Sequence, residues 1–356
     1  MNPTSPFARR SLLGLLGVAS AAALAGCGSA ITGKDSGSSG SGAGGSDGGA
    51  AGGTTTVRVG HLSSSLFAPL YIADAQGAFA DKGITLELIP VKSGQDGIPM
   101  LASGQLDVMV AGFSAGMFNA LHEGLAFKIV GSMGISPGDP ENSPTALEVR
   151  QALVDDGSVK AVSDLRGRKI AVAGGPGATG GYLLATMLEQ GGLTLADVEV
   201  VNLSTPDQEP ALTNGSVDAA TPSAPFSTAI QEAGVGSPLA VPAKGVTGTG
   251  VMYSEQFVAG EFAQPFFTAL TQGAQQLSDT GAQSDEVYEI LAKATGQDIA
   301  VLKSAPMYTY LPDLAPQPEQ LEAMQTVWIA AGQITYTDPV DVATIIDASF
   351  AEESGA

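Results

Sequence analysis

Cysteine and histidine are nearly absent from this sequence, and their scarcity narrows the chemistry that it can support. The 356 residues include one cysteine, Cys27, and two histidines, His61 and His122. A single cysteine excludes a disulfide within the chain and a cysteine-rich metal site. Chemistry that depends on clustered His and Cys is therefore poorly supported. We expect no cofactor, no bound metal and no catalytic residue, because no nucleophile–base pair or carboxylate pair stands out.

Basic residues are scarce as well, with 15 Lys and Arg against 36 Asp and Glu and a net charge of −21. Nucleic-acid binding requires a basic face, which so few Lys and Arg can hardly build. We therefore expect no nucleic-acid partner. Hydrophobic residues make up 44% of the chain and charged residues 14%, a composition that argues against disorder.

Long apolar runs are missing apart from one near the N-terminus, between Leu12 and Ala25. This run follows Arg9 and Arg10 and is shorter than the roughly 20 residues that a membrane span needs. A charged start, a short apolar run and small residues before a cleavage point predict a signal peptide over residues 1–26. The paired arginines leave both the Sec and the twin-arginine export routes open.

Cys27 ends the sequence Leu-Ala-Gly-Cys, which resembles the bacterial lipobox in which the cysteine is acylated. Residues 28–53 contain 11 Gly and 6 Ser, a composition typical of a flexible linker with a reach of roughly 25–30 Å. We therefore predict lipidation at Cys27 and a tether over residues 27–55. The body would be exported and held at the outer face of the cell membrane through its lipid anchor alone.

From Thr56 onward one structural unit occurs twice. Each copy predicts a strand, a loop of small residues, a helix, a second strand, a short helix and a third strand. Similar sequences precede the third strand in both copies, Gly104-Gln105-Leu106-Asp107 and Gly215-Ser216-Val217-Asp218. Alternating strands and helices predict parallel sheets joined by right-handed crossovers, and hence two α/β lobes.

The C-terminal part is predicted to be helical and to cover the outside of one lobe. Amphipathic segments span residues 262–277, 284–294, 318–331 and 338–350. Ser284 and Asp338 are the predicted N-caps of the second and fourth segments.

Ligands of open α/β sheets bind beyond the carboxyl ends of the strands, and clefts between lobes are common sites. Applied to both units, this rule selects loops that carry hydroxyls, glycines and a few aromatic residues. The candidate ligand-binding residues are Ser63, Ser64, Ser65, Phe67, Ser93, Gly112, Phe113, Ser114, Gly177, Ala178, Thr179, Gly180, Thr205, Thr221, Ser223 and Phe226. Because Lys and Arg are almost absent there, we expect an anion to be held by hydroxyls and helix N-terminal N–H groups, and a doubly charged anion to bind poorly.

Several of these residues have a second interpretation. Ser93 and Thr205 also suit helix N-caps, and Thr205 with Gln208 has the pattern of a capping box. The three aromatic candidates are equally suited to core packing and to lining a cleft. We interpret His61 and Trp328 as structural residues.

Five stretches of the body carry a resemblance to a known family. They are Ala68-Pro69-Leu70-Tyr71-Ile72-Ala73 with Gly77 and Phe79, Lys82-Gly83-Ile84, the two sequences that end in Asp107 and Asp218, and Asp164-Leu165-Arg166-Gly167-Arg168-Lys169-Ile170-Ala171-Val172. Together they resemble the substrate-binding proteins of ABC importers for sulfonates, nitrate, taurine and thiamine precursors. The resemblance implies a two-lobed, periplasmic-binding-protein-like fold of type II. Lobe 1 would span residues 56–145 and 248–356, and lobe 2 residues 146–247.

The resemblance also implies a function. It implies capture of a small organic or oxyanion solute by a monomer without enzymatic activity, which delivers the solute to an ABC permease and its ATPase. Three alternatives stay open: an exported enzyme of the same fold, a binder of a thiamine pyrimidine precursor, and a lipoprotein that serves as a surface scaffold or sensor. The pyrimidine-forming enzymes of this fold use a cysteine-rich motif, which the body after Cys27 lacks.

Replacement of the lipidation residue tests the tether. Cys27→Ser should release the protein from the membrane and impair uptake, because no acyl chain can be attached. Membrane fractionation measures the release, and calorimetric titration of the purified variant measures solute affinity, which should be unchanged. A large loss of affinity would show that residue 27 does not belong to a tether.

Overall fold

The computed structural model describes residues 54–279 and 284–355, and these residues belong to one compact unit. The predicted signal peptide over residues 1–26, the predicted lipidation at Cys27 and nearly all of the predicted tether over residues 27–55 lie outside the described residues. None of the helices in the described ranges combines the length and the apolarity that a membrane span requires.

In the described residues ten strands form two sheets of five. The strands are β1 (Thr55–His61), β2 (Ile84–Pro90), β3 (Val108–Gly112), β4 (Phe127–Ser132), β5 (Leu147–Arg150), β6 (Lys169–Val172), β7 (Glu199–Asn202), β8 (Ala219–Ala220), β9 (Gly236–Ala240) and β10 (Thr249–Ser254). The first sheet has the order β2-β1-β3-β10-β4, and the second has the order β7-β6-β8-β5-β9. We call each sheet with its helices a lobe.

The two sheets have equivalent topologies. Three parallel strands lie side by side in each, and a fourth strand, β10 or β5, runs antiparallel to both of its neighbours. In each sheet the antiparallel strand is the first one that the chain forms after it crosses from the other sheet. Strand β5 begins the second sheet, and strand β10 follows the return of the chain to the first. The predicted mainly parallel sheets are confirmed. The predicted boundaries at residues 145/146 and 247/248 fall in the two connections between the sheets and stay a prediction.

One aspartate fastens the same pair of strands in each lobe. The backbone N–H of Arg58 donates to Oδ2 of Asp107 at 2.8 Å, and that of Lys169 donates to Oδ2 of Asp218 at 3.0 Å. In return, the N–H of Asp107 donates to the Arg58 carbonyl at 2.9 Å, and the N–H of Asp218 donates to the Lys169 carbonyl at 2.8 Å. The carboxylates therefore set where the third strand of each unit begins, as the repeated Gly-x-x-Asp sequences indicate.

Helices cover both faces of the sheets. They are α1 (Ala68–Ala75), α2 (Gly94–Ala102), α3 (Ala115–His122), α4 (Gln151–Asp155), α5 (Thr179–Glu189), α6 (Thr205–Asn214), α7 (Phe226–Glu232), α8 (Glu255–Val258), α9 (Ala263–Asp279), α10 (Asp285–Thr295), α11 (Ile299–Ser304), α12 (Pro318–Ala330), α13 (Val342–Ile345) and α14 (Ser349–Ser354). Side chains alternate along each strand. Val108 and Val110 enter one core with α1 and α9, whereas Met109 and Ala111 enter another with α2, α3 and α12.

The C-terminal helices follow the prediction in part. Ser284 caps α10 by accepting the N–H of Val287, as predicted. The predicted helix over residues 338–350 is wrong, because this segment is broken into α13 and the start of α14. Asp341 caps α13 in place of Asp338. Between the two short helices, Ile346 extends beside β4 and makes a parallel bridge to Ile129, a pairing that a continuous helix would prevent.

Helix α12 contacts both lobes, so the prediction that the C-terminal helices cover only one lobe is wrong. It packs against α3 of the first lobe and α5 of the second. Trp328 of α12 is fully buried and donates its Nε1–H to the carbonyl of Pro176 at 3.0 Å. This agrees with its predicted structural role.

A carboxyl group is buried inside the second lobe. Glu148 of β5 is 0% exposed, and its Oε1 accepts a hydrogen bond from Nε2 of Gln231 in α7 at 2.6 Å. Its Oε2 is also buried and has no hydrogen-bond partner among the described residues. Burial raises the pKa of Glu148 to about 7, although the bond from Gln231 opposes the rise. The folded protein therefore binds a proton at Glu148 more tightly than the unfolded chain does.

This raised pKa predicts a loss of stability as the pH increases. The contribution of Glu148 to the free energy of unfolding is fully present below pH 4.5 and is lost as the pH rises through about 7. The change should be on the order of 3 kcal/mol. Glu148→Gln removes the ionisation and should flatten the dependence of melting temperature on pH between pH 5 and 8. Glu232→Gln is the matched control, because Glu232 is exposed and lies next to Gln231 on helix α7. An equal slope in wild type and Glu148→Gln would contradict the assignment.

Candidate functional site

A cavity of about 290 Å³ lies where the loops at the carboxyl ends of both sheets face each other. Twelve of the sixteen predicted ligand-binding residues line it, so the rule about strand ends locates the cavity correctly. These twelve are Ser64, Phe67, Ser93, Gly112, Phe113, Ser114, Ala178, Thr179, Gly180, Thr205, Thr221 and Ser223. That any of them binds a ligand stays a prediction.

Four predicted residues lie outside the lining of this cavity, namely Ser63, Ser65, Gly177 and Phe226. Ser64 caps the short turn Ser65–Phe67, with Ser63 exposed and Ser65 buried on either side of it. Successive side chains in an extended loop point in different directions, so only the middle serine of the three reaches the cavity. Gly177 instead accepts the N–H of Ala115 through its carbonyl at 2.8 Å and thereby joins the lobes.

Other residues of the cavity lining were not predicted from the sequence. They include Leu62, Lys92, Gln95, Thr145, Ala173, Leu183, Thr249 and Tyr308. Lys92 could have been found, because it directly precedes Ser93 in a loop already selected. Thr145 and Thr249 lie where the chain crosses between the sheets, and Tyr308 lies in the segment between α11 and α12, which belongs to neither repeated unit.

Helix N-termini from both lobes meet at the cavity. Ser93 caps α2 by accepting the N–H of Asp96 at 3.2 Å, and Ser114 caps α3 by accepting the N–H of Met117 at 3.2 Å. The first residues of α5 and α6 line the cavity from the other side. First-turn N–H groups have no acceptor within their own helix, and the helix dipole places positive potential at this end. The arrangement therefore favours an anion.

The predicted capping box at Thr205 is wrong. Ser204 occupies the N-cap position of α6, and Thr205 is the first residue of the helix. Gln208 is fully buried and donates its Nε2 to the carbonyl of Leu203 at 3.2 Å, so its amide is not directed at Thr205. The Thr205 side chain is consequently not required for a reciprocal cap.

The charges of the lining are unusually simple. Lys92 is the one charged residue that the described residues contribute, and no Asp, Glu, His or Cys belongs to the lining. Elsewhere, His61 is buried and its Nδ1 lies 2.9 Å from the hydroxyl of Tyr71, which donates to the Leu62 carbonyl. Burial lowers the pKa of His61, which fits its predicted structural role. Over the described ranges, no three His, Cys, Asp or Glu side chains group as metal ligands.

Thr179 at the start of α5 joins the two lobes beside the cavity. Its hydroxyl lies 2.9 Å from the carbonyl oxygens of both Phe113 and Gly248, which belong to the first lobe. A Cβ atom at Gly112 would lie 2.3 Å from Oγ1 of Thr179, and one at Gly248 would lie 2.6 Å from its Cγ2. Only glycine at these two positions lets the threonine approach so closely.

Tyr308 and Thr145 form a second polar contact at the cavity. Their hydroxyl oxygens are 2.8 Å apart. Burial raises the pKa of Tyr308 to about 12, against the effect of hydrogen bonds with the hydroxyls of Thr145 and Ser223. The phenol is therefore neutral at physiological pH.

Residues 64–280 match the family model described as NMT1/THI5 like. The chain belongs to the NMT1/THI5-like family. No curated protein matches the sequence significantly. The family assignment and the two-lobed fold agree with the resemblance found in the sequence.

Several solved structures share this fold at low sequence identity. The alkanesulfonate-binding protein SsuA from Xanthomonas axonopodis pv. citri, bound to MOPS, is 20% identical and superposes with a TM-score of 0.64. The alignment covers 83% of this chain and 99% of the SsuA chain. The periplasmic nitrate-binding protein NrtA from Synechocystis PCC 6803 is 14% identical with a TM-score of 0.66, covering 85% and 88%. The DszB structure with biphenyl-2-sulfinic acid is 20% identical with a TM-score of 0.55, covering 84% and 98%. A second DszB structure is described as a desulfurization enzyme. At identities this low the structural similarity establishes only the fold, and this fold occurs both in binding proteins and in an enzyme.

The contact between the lobes can be tested at Thr179. Thr179→Val keeps the shape of the side chain but removes the hydroxyl from the Phe113 carbonyl, whereas the Gly248 carbonyl keeps the backbone N–H of Phe113 at 2.7 Å. The variant should lower the free energy of unfolding by about 1–3 kcal/mol. Thr186→Val on the same helix removes a hydroxyl that bonds only to the Leu183 carbonyl of α5, and should cost no more than about 1 kcal/mol. Urea unfolding measures both. Equal losses would show that the bonds between the lobes add nothing to the stability.

Proposed function

We propose that this protein captures a small organic anion outside the cytoplasm and delivers it to an ABC importer. The observation that carries the proposal is the cavity between the lobes. Helix N-termini and Lys92 provide positive potential there, and residues 54–279 and 284–355 contribute no acidic side chain to the lining. Cavities of about this size between domains are typical small-molecule sites. An anion that enters would meet donors on both lobes and would stabilise them against each other.

The number of charges in the cavity favours a single negative charge on the solute. One lysine and the partial charges of helix ends balance one charge well and two charges poorly. A zwitterion such as taurine would also need an acceptor for its ammonium group, and the described part of the chain contributes no Asp or Glu to the lining. These considerations favour a monoanion without a cationic group.

The size and the apolar part of the lining favour an organic solute over an inorganic one. The cavity of about 290 Å³ is much larger than nitrate needs, since one water occupies about 30 Å³ in the liquid. Leu62, Leu66, Phe67, Phe113 and Leu183 supply apolar surface that nitrate would not use. An alkanesulfonate combines one charged head with an apolar tail, and the structurally similar SsuA is described as an alkanesulfonate-binding protein. We therefore place the solute in this class, in preference to nitrate and to a neutral pyrimidine.

The structural similarity to DszB keeps an enzyme in view as the second candidate. Catalysis of acyl, sulfinyl or proton transfer needs a nucleophile or a base close to the substrate. The lining offers Lys92 and serine hydroxyls, but the described residues add no Cys, His, Asp or Glu to it that could activate them, and burial raises the pKa of the Tyr308 hydroxyl to about 12. This chemistry supports binding without turnover.

The partners and the location follow from the same proposal. Similar structures are described as periplasmic binding proteins, and the predicted signal peptide and Cys27 would export this chain and anchor it by a lipid. We propose that it acts as a monomer that presents its loaded lobes to a permease served by an ATPase. The ligand-binding residues would be those of the cavity lining, with Lys92 added to the predicted set.

Thermal unfolding with a panel of solutes tests the proposed class. An alkanesulfonate at 100 times its Kd should stabilise the protein by about 2.7 kcal/mol, whereas sulfate, nitrate, taurine and a pyrimidine should have little effect at equal concentration. Lys92→Gln should weaken alkanesulfonate binding about tenfold, because an exposed charge is partly screened. Lys82→Gln, which changes an exposed lysine of the same lobe outside the lining, is the matched control.

Three outcomes would contradict the proposal. If no solute raises the melting temperature, solute capture is wrong. If sulfate binds as tightly as an alkanesulfonate, the assignment of a single charge is wrong. If any bound solute is converted to product, as followed by mass spectrometry, the protein is an enzyme.

A further inference from the structure

A second cavity of about 20 Å³ lies directly beside the first. Six residues line both cavities: Leu66, Thr145, Thr179, Leu183, Thr249 and Tyr308. Because the same side chains are exposed to both spaces, the partition is only one side chain thick. Tyr308 is the largest member of this partition.

The strand order places Tyr308, at one end of this partition, far from Lys92. Lys92 follows β2 at one edge of the first sheet. Tyr308 precedes Thr309, which forms an antiparallel bridge with Ile135 just after β4 at the opposite edge. An added Cβ at Gly134 would lie 3.2 Å from Cβ of Tyr308, which confirms the position. Four strand spacings separate β2 from β4, a distance of about 19 Å. The charged end and the Tyr308 end are therefore the two ends of an elongated site.

The small cavity offers apolar space to a ligand. Its remaining lining includes Pro144, Pro242 and Val246. Most of its hydroxyl groups already have partners. Ser136 donates to the Pro242 carbonyl at 2.8 Å, Thr247 to that of Gly134 at 2.8 Å and Ser143 to that of Thr145 at 2.7 Å. The hydroxyls of Tyr308 and Thr145 are bonded to each other. A hydrocarbon chain would fit these surroundings better than a polar group, because few donors or acceptors would be buried against it.

We propose that Tyr308 is a specificity-determining residue that limits the length of the solute's apolar tail. This inference rests on the proposed function, in which the charged head lies near Lys92 and the tail extends along the cleft. The phenol ring, held by its bond to Thr145, ends the site and closes off the small cavity. Without the ring the two cavities become one, and a longer tail can be buried.

Calorimetric titration with unbranched alkanesulfonates, from methanesulfonate to octanesulfonate, tests this inference on the purified protein. The affinity of the wild type should rise with chain length and then fall once the tail meets Tyr308. In Tyr308→Ala the maximum should move to a longer chain. Beyond the wild-type maximum, each further methylene should tighten binding to this variant by about fourfold. Tyr308→Phe is the matched control, because it keeps the ring and loses only the hydroxyl with its bonds to Thr145 and Ser223. Its maximum should stay at the wild-type chain length.

The outcomes separate this inference from the proposed function. If alkanesulfonates bind the wild type and Tyr308→Ala with the same maximum, the role of Tyr308 is wrong and the proposed function stands. If no alkanesulfonate of any length binds the wild type, both are overturned. Circular dichroism checks that the variants fold. Should Tyr308→Ala fail to fold, Tyr308→Leu opens part of the same space and must show a shift in the same direction.

Discussion

The approach of Thr179 to the first lobe is the contact on which the shape of the cleft depends. One hydroxyl lies within hydrogen-bond distance of two carbonyl oxygens, at Phe113 and Gly248, and thereby places the N-terminus of α5 opposite the end of β3. The contact is close enough that two glycines are required around it. The loop before α5 is held by further contacts, from Ala115 to Gly177 and from Trp328 to Pro176. The position of helix α5, whose first residues line the cavity, is thus fixed by the lobe to which it does not belong.

Positive potential in the cleft comes mainly from backbone, in a protein that carries a net charge of −21. The first turns of α2, α3, α5 and α6 bring N–H groups to one cavity, and Lys92 adds one full charge. Backbone donors cannot be repositioned as a long side chain can, so they suit a head group of defined geometry. The described residues contribute no acidic side chain to the lining itself, while Asp96 and Asp207 in the first turns of α2 and α6 offset part of this potential.

The C-terminal segments connect lobes that the repeated units would leave separate. Trp328 is buried between α3, α5 and the loop that contains Pro176, whereas Tyr308 reaches the cleft from the segment before α12. Neither belongs to a βαβ unit. One fixes the relative position of the lobes, and the other sets the far end of the cavity. The C-terminal segments, which the sequence predicts to be only an outer helical layer, therefore contribute to the cavity.

Local and periodic features of the chain were predictable from the sequence, because they depend on short-range chemistry. The alternation of strands and helices, the Asp107 and Asp218 contacts, the cap at Ser284 and most of the loops at the cleft follow from the residue pattern and from the rule about strand ends. The predicted capping box at Thr205 was wrong, because the side chain of Gln208 makes a buried contact instead. The predicted helix over residues 338–350 was wrong, because the pairing of Ile346 with Ile129 overrides local preference. Tyr308, Thr145 and Thr249 became part of the cavity only through tertiary structure, since contacts between residues far apart in the chain leave no local pattern. The sequence by itself determined two α/β lobes with anion-favouring loops. Packing between those lobes decided which side chains face the solute and where the site ends.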